Sequence, residues 1–141
     1  MTAKEYLGQY RRLKTDIDSK TEQLEELRGL AESVSHSTGT ECSGGTSDKV
    51  GKTVAKIVDL DNEISCQIEK LLELKGKIEG MIAKVDDPVL RQLLTLRYIN
   101  GRKWEQISID LNYSRMQIYR LHGNALEKVK NVIECYIRSV L

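Results

Sequence analysis

The apolar positions in the first half of the chain repeat at alternating spacings of three and four residues, which is typical of a helix that packs on another helix. The first such series is Tyr6, Tyr10, Leu13, Ile17, Lys20, Leu24, Leu27, Ala31 and Val34. The second series is Val50, Val54, Ile57, Asp61, Ile64, Ile68, Leu71, Lys75, Ile78, Ile82 and Val85. The pattern predicts two long helices that fold back as an antiparallel hairpin, with Lys20 and Asp61 close enough to pair.

The segment between the two series is rich in serine, threonine and glycine, which favour turns. We interpret residues 33–48 as a flexible loop. Thr2 and Glu5 match a capping box at the start of the first helix, and Ser47 or Asp48 is expected to cap the second helix. Two glycines inside the second helix, Gly76 and Gly80, predict either a kink or a site of close packing.

Shorter helical segments follow in the last third of the chain. Asp87-Pro88 indicates a helix start, because Asp caps helices and Pro fits the first helical position. Asn100-Gly101 predicts the end of that helix. The expected fold is therefore all-α, with a coiled-coil-like helical hairpin over residues 1–86 and a three-helix unit over residues 87–141.

The segment from Trp104 to His122 has the spacing of a helix-turn-helix. Asn112 stands at the turn, where the backbone needs a left-handed conformation that Asn tolerates well. Ser114 is the expected N-cap of the second helix, and Ile118 is expected on its buried face. Trp104 is expected to anchor the first short helix in the core.

The outward residues of that second helix are those that read bases in helix-turn-helix proteins. Arginine can pair with guanine and glutamine with adenine, each through two hydrogen bonds. The expected base contacts are Arg115, Met116, Gln117, Tyr119 and Arg120. The expected phosphate contacts, which position the protein without reading sequence, are Arg102, Lys103, Ser114, His122, Lys128 and Lys130.

Charge is unevenly divided along the chain. Residues 1–87 carry 13 basic and 17 acidic residues, a net charge of −4, whereas residues 88–141 carry 9 and 4, a net charge of +5. A basic end predicts a polyanionic partner. Three scattered cysteines fit a reducing compartment, and no metal-ligand spacing, catalytic constellation or long apolar stretch is apparent. We therefore expect a cytoplasmic protein that is not an enzyme and has no metal, cofactor or membrane segment.

Residues 88–131 resemble region 4 of bacterial sigma-70 factors, the part that reads a promoter element. The residues that carry the resemblance are Leu96-Arg97-Tyr98, Gly101, Trp104-Glu105-Gln106-Ile107, Leu111, Ser114-Arg115, Ile118 and Ala125-Leu126-Glu127-Lys128-Val129. The resemblance implies that the five expected base contacts lie on the helix that faces DNA. The whole layout is similar to the RinA and ArpU group of late-gene activators from phages and prophages.

The function that we expect is that of a phage-type transcriptional regulator in a bacterial host, bound to double-stranded DNA. The N-terminal helices are then expected to form a homo-oligomer or to contact RNA polymerase. Two alternatives stay open at this point. One is a DNA-packaging component similar to a terminase small subunit, and the other is an RNA polymerase-interacting protein without DNA specificity of its own.

Overall fold

The computed structural model describes residues 1–36 and 45–140, with side chains outside positions 34–48. Every regular element in these ranges is helical, so the fold is all-α, as predicted. The helices are α1 (Ala3–His36), α2 (Gly45–Ala83), α3 (Pro88–Leu94), α4 (Trp104–Leu111) and α5 (Arg115–Val140). Helix α3 runs directly into a π-helical turn, Thr95–Ile99.

The chain forms two compact units. The hairpin unit is Leu13–Lys70, and the second unit combines Met1–Arg12 with Leu71–Leu141. We call the second unit the basic unit, because it has 15 basic and 9 acidic residues, a net charge of +6. The sequence pattern predicted a domain boundary between residues 86 and 87. The structure differs because the start of α1 and the end of α2 belong to the basic unit.

The hairpin unit consists of antiparallel segments of α1 and α2. Lys20 Nζ lies 2.6 Å from Glu63 Oε1, and Gln67 Nε2 donates a hydrogen bond of 3.0 Å to Asp16 Oδ2. Residue numbers rise along α1 as they fall along α2, which confirms the antiparallel pairing in this unit. The seam between the two segments is narrow, and its buried apolar side chains are Ile17, Leu24 and Ile64.

The seam of α2 keeps Ile57 and Ile64 of the expected series but departs from that series at the alternate positions. Val54, Asp61 and Ile68 are exposed, and the half-buried positions each lie one residue earlier, at Thr53, Leu60 and Gln67. Both series have the same alternating spacing, so periodicity cannot decide between neighbouring positions, which lie about 100° apart around a helix. The expected pair of Lys20 with Asp61 is consequently wrong, since Lys20 pairs with Glu63 and Asp61 lies 3.8 Å from Arg28.

The core of the basic unit draws on all five helices. Its largest fully buried side chains are Leu7, Ile78, Val85, Leu93, Leu94, Ile107, Ile118 and Val129. Burial of this many branched side chains stabilises the unit, at roughly 1.5–3 kcal/mol for each one. The core therefore fixes how α4 and α5 are held, which matters for the surface described below.

Capping residues begin the helices of the basic unit where the sequence places them. Glu5 N donates to Thr2 Oγ1 at 3.2 Å and Thr2 N donates to Glu5 Oε2 at 2.9 Å, which completes the predicted capping box. Val89 N donates to Asp87 Oδ1 at 2.9 Å, with Pro88 at the first position of α3. After the π-helical turn, Gly101 has a φ of +71°, a left-handed conformation that glycine adopts without strain.

The predicted loop over residues 33–48 is helical at both of its ends. Helix α1 continues through His36 and α2 begins at Gly45, so Ser47 and Asp48 lie inside α2 and neither is the N-cap that we expected. The rest of that segment, residues 37–44, lies outside the described residues. Helix α2 is continuous past Gly76 and Gly80, and a Cβ atom at either glycine would meet nothing within 4 Å, so close packing does not explain them.

Candidate nucleic-acid interface

The turn between α4 and α5 is built as the sequence predicts. Asn112 has a φ of 58° and its N–H donates to the carbonyls of Ser108 and Ile109. The hydroxyl of Ser108 donates to the carbonyl of Tyr113, on the far side of the turn. The Asn112 bonds satisfy the carbonyls of Ser108 and Ile109 near the end of α4. Together with the Ser108 bond they set the direction in which α5 leaves the turn.

A second capping box starts α5. Gln117 N donates to Ser114 Oγ at 3.2 Å, and Ser114 N donates to Gln117 Oε1 at 3.0 Å. Ser114 is thus the N-cap, as predicted. The box also engages the Gln117 carbonyl, which the expected two-bond contact with adenine would need. In this conformation Gln117 begins the helix and has only its amide nitrogen free for another partner.

The inner face of α5 is apolar apart from one histidine. Ile118, Ala125 and Val129 are fully buried, and His122, which shares their face, is 9% exposed. The prediction that His122 contacts a phosphate is therefore not compatible with the structure. The physical reason is helical geometry, because a residue four positions after a buried isoleucine points into the same core.

His122 is enclosed by aromatic rings. Its Nε2 shares a hydrogen bond of 2.6 Å with the Tyr98 hydroxyl, and its ring centroid lies 4.6 Å from that of Trp104. Burial, together with the nearby charges of Lys4 and Arg97, lowers the pKa of His122 to about 4. The histidine is therefore neutral at pH 7, and its role in the structure is to fill the core and bond to Tyr98.

The outer face of the first turns of α5 carries exposed side chains that suit contact with a base. Met116 is 73% exposed and Tyr119 is 52% exposed. Arg115 and Arg120 are exposed on the same two turns. Arg115 Nη2 bonds to Glu105 of α4, whereas Arg120 has no ion pair among the described residues. We call these four residues the α5 face.

Further cations flank this face. Arg102 and Lys103 are exposed directly before α4, and Lys128 and Lys130 are exposed on later turns of α5. Eight residues separate Arg120 from Lys128, which corresponds to about 12 Å along a helix axis. All four cations are accessible to a partner, and their contact with phosphate stays a prediction.

The sequence did not predict the contacts that Arg97 makes beside this face. Its Nη1 donates to the carbonyl of Arg102 at 3.0 Å, and its guanidinium carbon lies 4.4 Å from the ring centroid of Trp104. Trp104 is also partly buried against the core, and its ring centroid lies 5.7 Å from that of Tyr119. Stacking on Trp104 orients Arg97, and only the tertiary structure brings the two together.

Within residues 1–36 and 45–140 no helix combines the length and apolar character needed to cross a membrane. The same ranges contain no group of three or more histidine, cysteine or acidic side chains placed to hold a metal ion.

Comparison with known protein families identifies the family of this chain. A family model described as "Protein of unknown function (DUF1492)" matches residues 31–130, which is well over half of the 141 residues. The chain belongs to the DUF1492 family. No curated protein and no solved structure matches it significantly. The DUF1492 match contains α3, α4 and the whole α5 face, and it begins after the first part of α1.

Proposed function

We propose that this DUF1492 protein is a DNA-binding transcriptional regulator that reads double-stranded DNA through the α5 face. The observation that carries the proposal is the row of exposed Arg115, Met116, Tyr119 and Arg120 on the first two turns of α5, directly after a tight turn. In helix-turn-helix proteins the N-terminal part of the second helix enters the major groove. The opposite side of α5 is packed into the core, so the helix is held with this face outward.

The two arginines of the α5 face have different environments. Arg120 is free to donate two hydrogen bonds to a guanine, the commonest specific contact of arginine with DNA. Arg115 is bonded to Glu105, which holds its guanidinium beside the first turn of α4. Glu105 can in turn accept a hydrogen bond from the amino group of a cytosine. The pair therefore suits a guanine–cytosine step, and Arg120 a separate guanine.

The flanking cations suit the DNA backbone. Arg102 and Lys103 precede α4, the helix that crosses the backbone in such proteins, while Lys128 and Lys130 lie further along α5. The local charge and the resemblance to sigma region 4 support the same orientation. The similarity to the RinA and ArpU group extends the proposal to a phage-type activator in the cytoplasm of a bacterial host, with RNA polymerase as a second partner.

The hairpin unit is proposed to form a homodimer through a second apolar row of α2. Val54, Val58 and Ile68 are 48%, 51% and 41% exposed, and they lie on a face about 100° away from the hairpin seam. If α2 pairs antiparallel with α2 of a second copy, Val58 lies opposite Ile68 and Asp61 opposite Ser65. The row is thus complementary to itself, as a two-fold interface requires.

The test is selection of sites from random double-stranded DNA by the full chain, followed by affinity measurements on the enriched sequence. Arg120→Ala should lower the affinity for that sequence by about 1–3 kcal/mol and relax the preference at one base pair. Arg138→Ala is the matched control, because it removes an exposed arginine from the last turn of the same helix. The control should leave the selected sequence unchanged.

The alternatives give other outcomes. If no sequence is enriched and Arg120→Ala behaves like Arg138→Ala, the α5 face does not read DNA. A ring of many subunits would then favour the DNA-packaging component. Capture of RNA polymerase by a chain with no salt-dependent DNA affinity would favour the polymerase-interacting protein.

A further inference from the structure

A cavity of about 320 Å³ in the basic unit brings together cations from distant parts of the chain. Lys4, Arg11 and Arg12 from α1 line it together with Arg97 from the π-helical turn. Arg102 and Lys103 follow Arg97 by a few residues. The sequence shows these groups only as scattered charges, since about 85 residues separate Arg12 from Arg97. We call the four lining cations the α1 cluster.

Contacts orient the three arginines of the α1 cluster. Arg12 Nη2 donates to the carbonyl of Glu5 at 3.1 Å, and Arg97 is fixed by the Arg102 carbonyl and the Trp104 ring. Arg11 lies against the backbone of Gly101, since a Cβ atom there would stand 2.6 Å from Arg11 Nη1. A side chain at residue 101 would displace that guanidinium, and the positive φ of Gly101 favours glycine there in its own right.

Four cations but one acidic residue, Glu5, line the cavity of the α1 cluster. None of its four cations forms an ion pair with a carboxylate among the described residues. The Oε2 of Glu5 accepts from the N–H of Thr2, and this bond together with the charge of Arg12 lowers the pKa of Glu5. One carboxylate against four cations leaves an excess of positive charge at the cavity. Like charges held this close repel one another, and an anion in the cavity would relieve the repulsion.

The α1 cluster is continuous with the α5 face. Arg11 contacts Gly101, which is followed by Arg102, Lys103 and the first turn of α4. No side chain caps α4, so the N–H groups of its first turn remain available to an anion. Glu105 in that turn bonds to Arg115. A single surface therefore leads from α1 through the α4 terminus to α5.

We propose that Lys4, Arg11, Arg12 and Arg97 bind a backbone phosphate of the same DNA that the α5 face reads, an inference that rests on the proposed function. The occupant is the sugar-phosphate backbone that flanks the bases in contact with α5. Helix α1 thereby becomes part of the DNA-binding surface, although it lies far from α5 in sequence. The three α1 cations also precede the segment that the DUF1492 model matches.

The experiment compares Arg11→Gln/Arg12→Gln with Lys14→Gln/Arg28→Gln, which removes the same charge from exposed positions of the same helix. Affinity is measured over a salt series for the selected duplex and for a random duplex. The first variant should weaken binding to both duplexes by the same factor and reduce the slope of log K against log salt by about 0.9 for each phosphate that the protein no longer neutralises. The control variant should keep the wild-type slope of log K against log salt.

Phosphate ethylation interference on the selected duplex supplies a positional readout. With the wild-type chain, ethylation of a phosphate outside the bases read by α5 should interfere with binding, and Arg11→Gln/Arg12→Gln should lose the interference at that phosphate alone. Lys4→Gln/Arg12→Gln, which leaves the contact of Arg11 with Gly101 intact, replaces the first variant if circular dichroism shows that it has not folded. Equal affinities and equal interference patterns in the cluster variant and its control would overturn the inference.

Two further results separate this inference from the proposed function. If the wild-type chain binds DNA without selecting a sequence, and the cluster variant still shows the reduced salt slope, the regulator proposal fails while the phosphate site stands. If inorganic phosphate alone raises the melting temperature of the wild type but not of the cluster variant, and DNA affinity is the same in both, the site takes free phosphate and the DNA assignment is overturned.

Discussion

The hairpin unit and the basic unit bury their apolar residues in different ways. The hairpin unit has 7 basic and 12 acidic residues, a net charge of −5, against +6 for the basic unit. Its buried side chains Ile17, Leu24 and Ile64 keep between 5% and 7% of their surface exposed, whereas many core residues of the basic unit have none. Two helices can share only one seam, while five segments can enclose a core from all sides.

This contrast fits the division of labour that we propose, with DNA binding by the basic unit and self-association by the hairpin unit. A closed core holds the α5 face and the α1 cluster in fixed positions, as a surface that reads DNA requires. A two-helix seam leaves a second apolar row open on α2, as association with another chain requires. The opposite net charges favour the same assignment, because a polyanion is attracted by the basic unit and repelled by the hairpin unit.

The largest effect is expected from cutting back a fully buried isoleucine. Ile107 has no exposed surface, and Ile107→Ala should lower the free energy of unfolding of the basic unit by about 3–5 kcal/mol, because the cavity is enclosed. Ile64→Ala removes the same atoms from the open seam of the hairpin unit. It should lower the free energy of unfolding of that unit by about 2 kcal/mol, because apolar burial is lost but no enclosed cavity is left. Native-state hydrogen exchange measures each unit separately. Equal losses would break the contrast.

A somewhat smaller effect should follow from pH and be confined to the basic unit. The pKa of His122 is about 4 in the folded protein against an ordinary value of 6.5. The unfolded chain therefore takes up a proton first as the pH falls, and stability that is present above pH 6.5 is lost on the way to pH 4. The loss is on the order of 3 kcal/mol.

His122→Gln is the variant that isolates this effect. Glutamine keeps a side chain that can bond to Tyr98 but does not titrate, while the carboxylates titrate alike in both proteins. Urea unfolding of the basic unit at a series of pH values should show a shallower decline for the variant below neutral pH. Parallel profiles for the two proteins would show that burial does not hold His122 neutral.

A substitution in the open apolar row of α2 should have the smallest effect on stability but a clear effect on the molecular mass of the assembly. Val58 is 51% exposed, so Val58→Glu should change the unfolding free energy by no more than about 0.5 kcal/mol. Placed opposite Ile68 of a second copy, the charge should convert a dimer into a monomer in sedimentation equilibrium. Val140→Glu, at an exposed valine on α5, is the control and should remain dimeric. A monomeric wild type would remove the proposed dimer.

Local chemistry predicted the parts of the candidate site that lie close together in sequence. The Asn112 turn, the Ser114 cap and the exposed row from Arg115 to Arg120 all follow from backbone preferences and helical periodicity within about ten residues. The prediction for His122 was wrong although the same periodicity places it on the face of Ile118. Histidine is common on surfaces, and Tyr98, the buried residue that shares a hydrogen bond with His122, lies on another helix.

The sequence by itself determined the helical segments, their caps and the exposed row on α5, because these depend on interactions between residues within a few turns of one another. Tertiary structure alone decided which alternate positions of α2 line the seam. The expected and the observed series have the same spacing and differ only in the residues of α1 that pack against them. It also decided that Lys4, Arg11 and Arg12 join Arg97, because packing of Leu7 with Ile78 and the C-terminal helices is a long-range event. Periodicity carries no information about such distant partners.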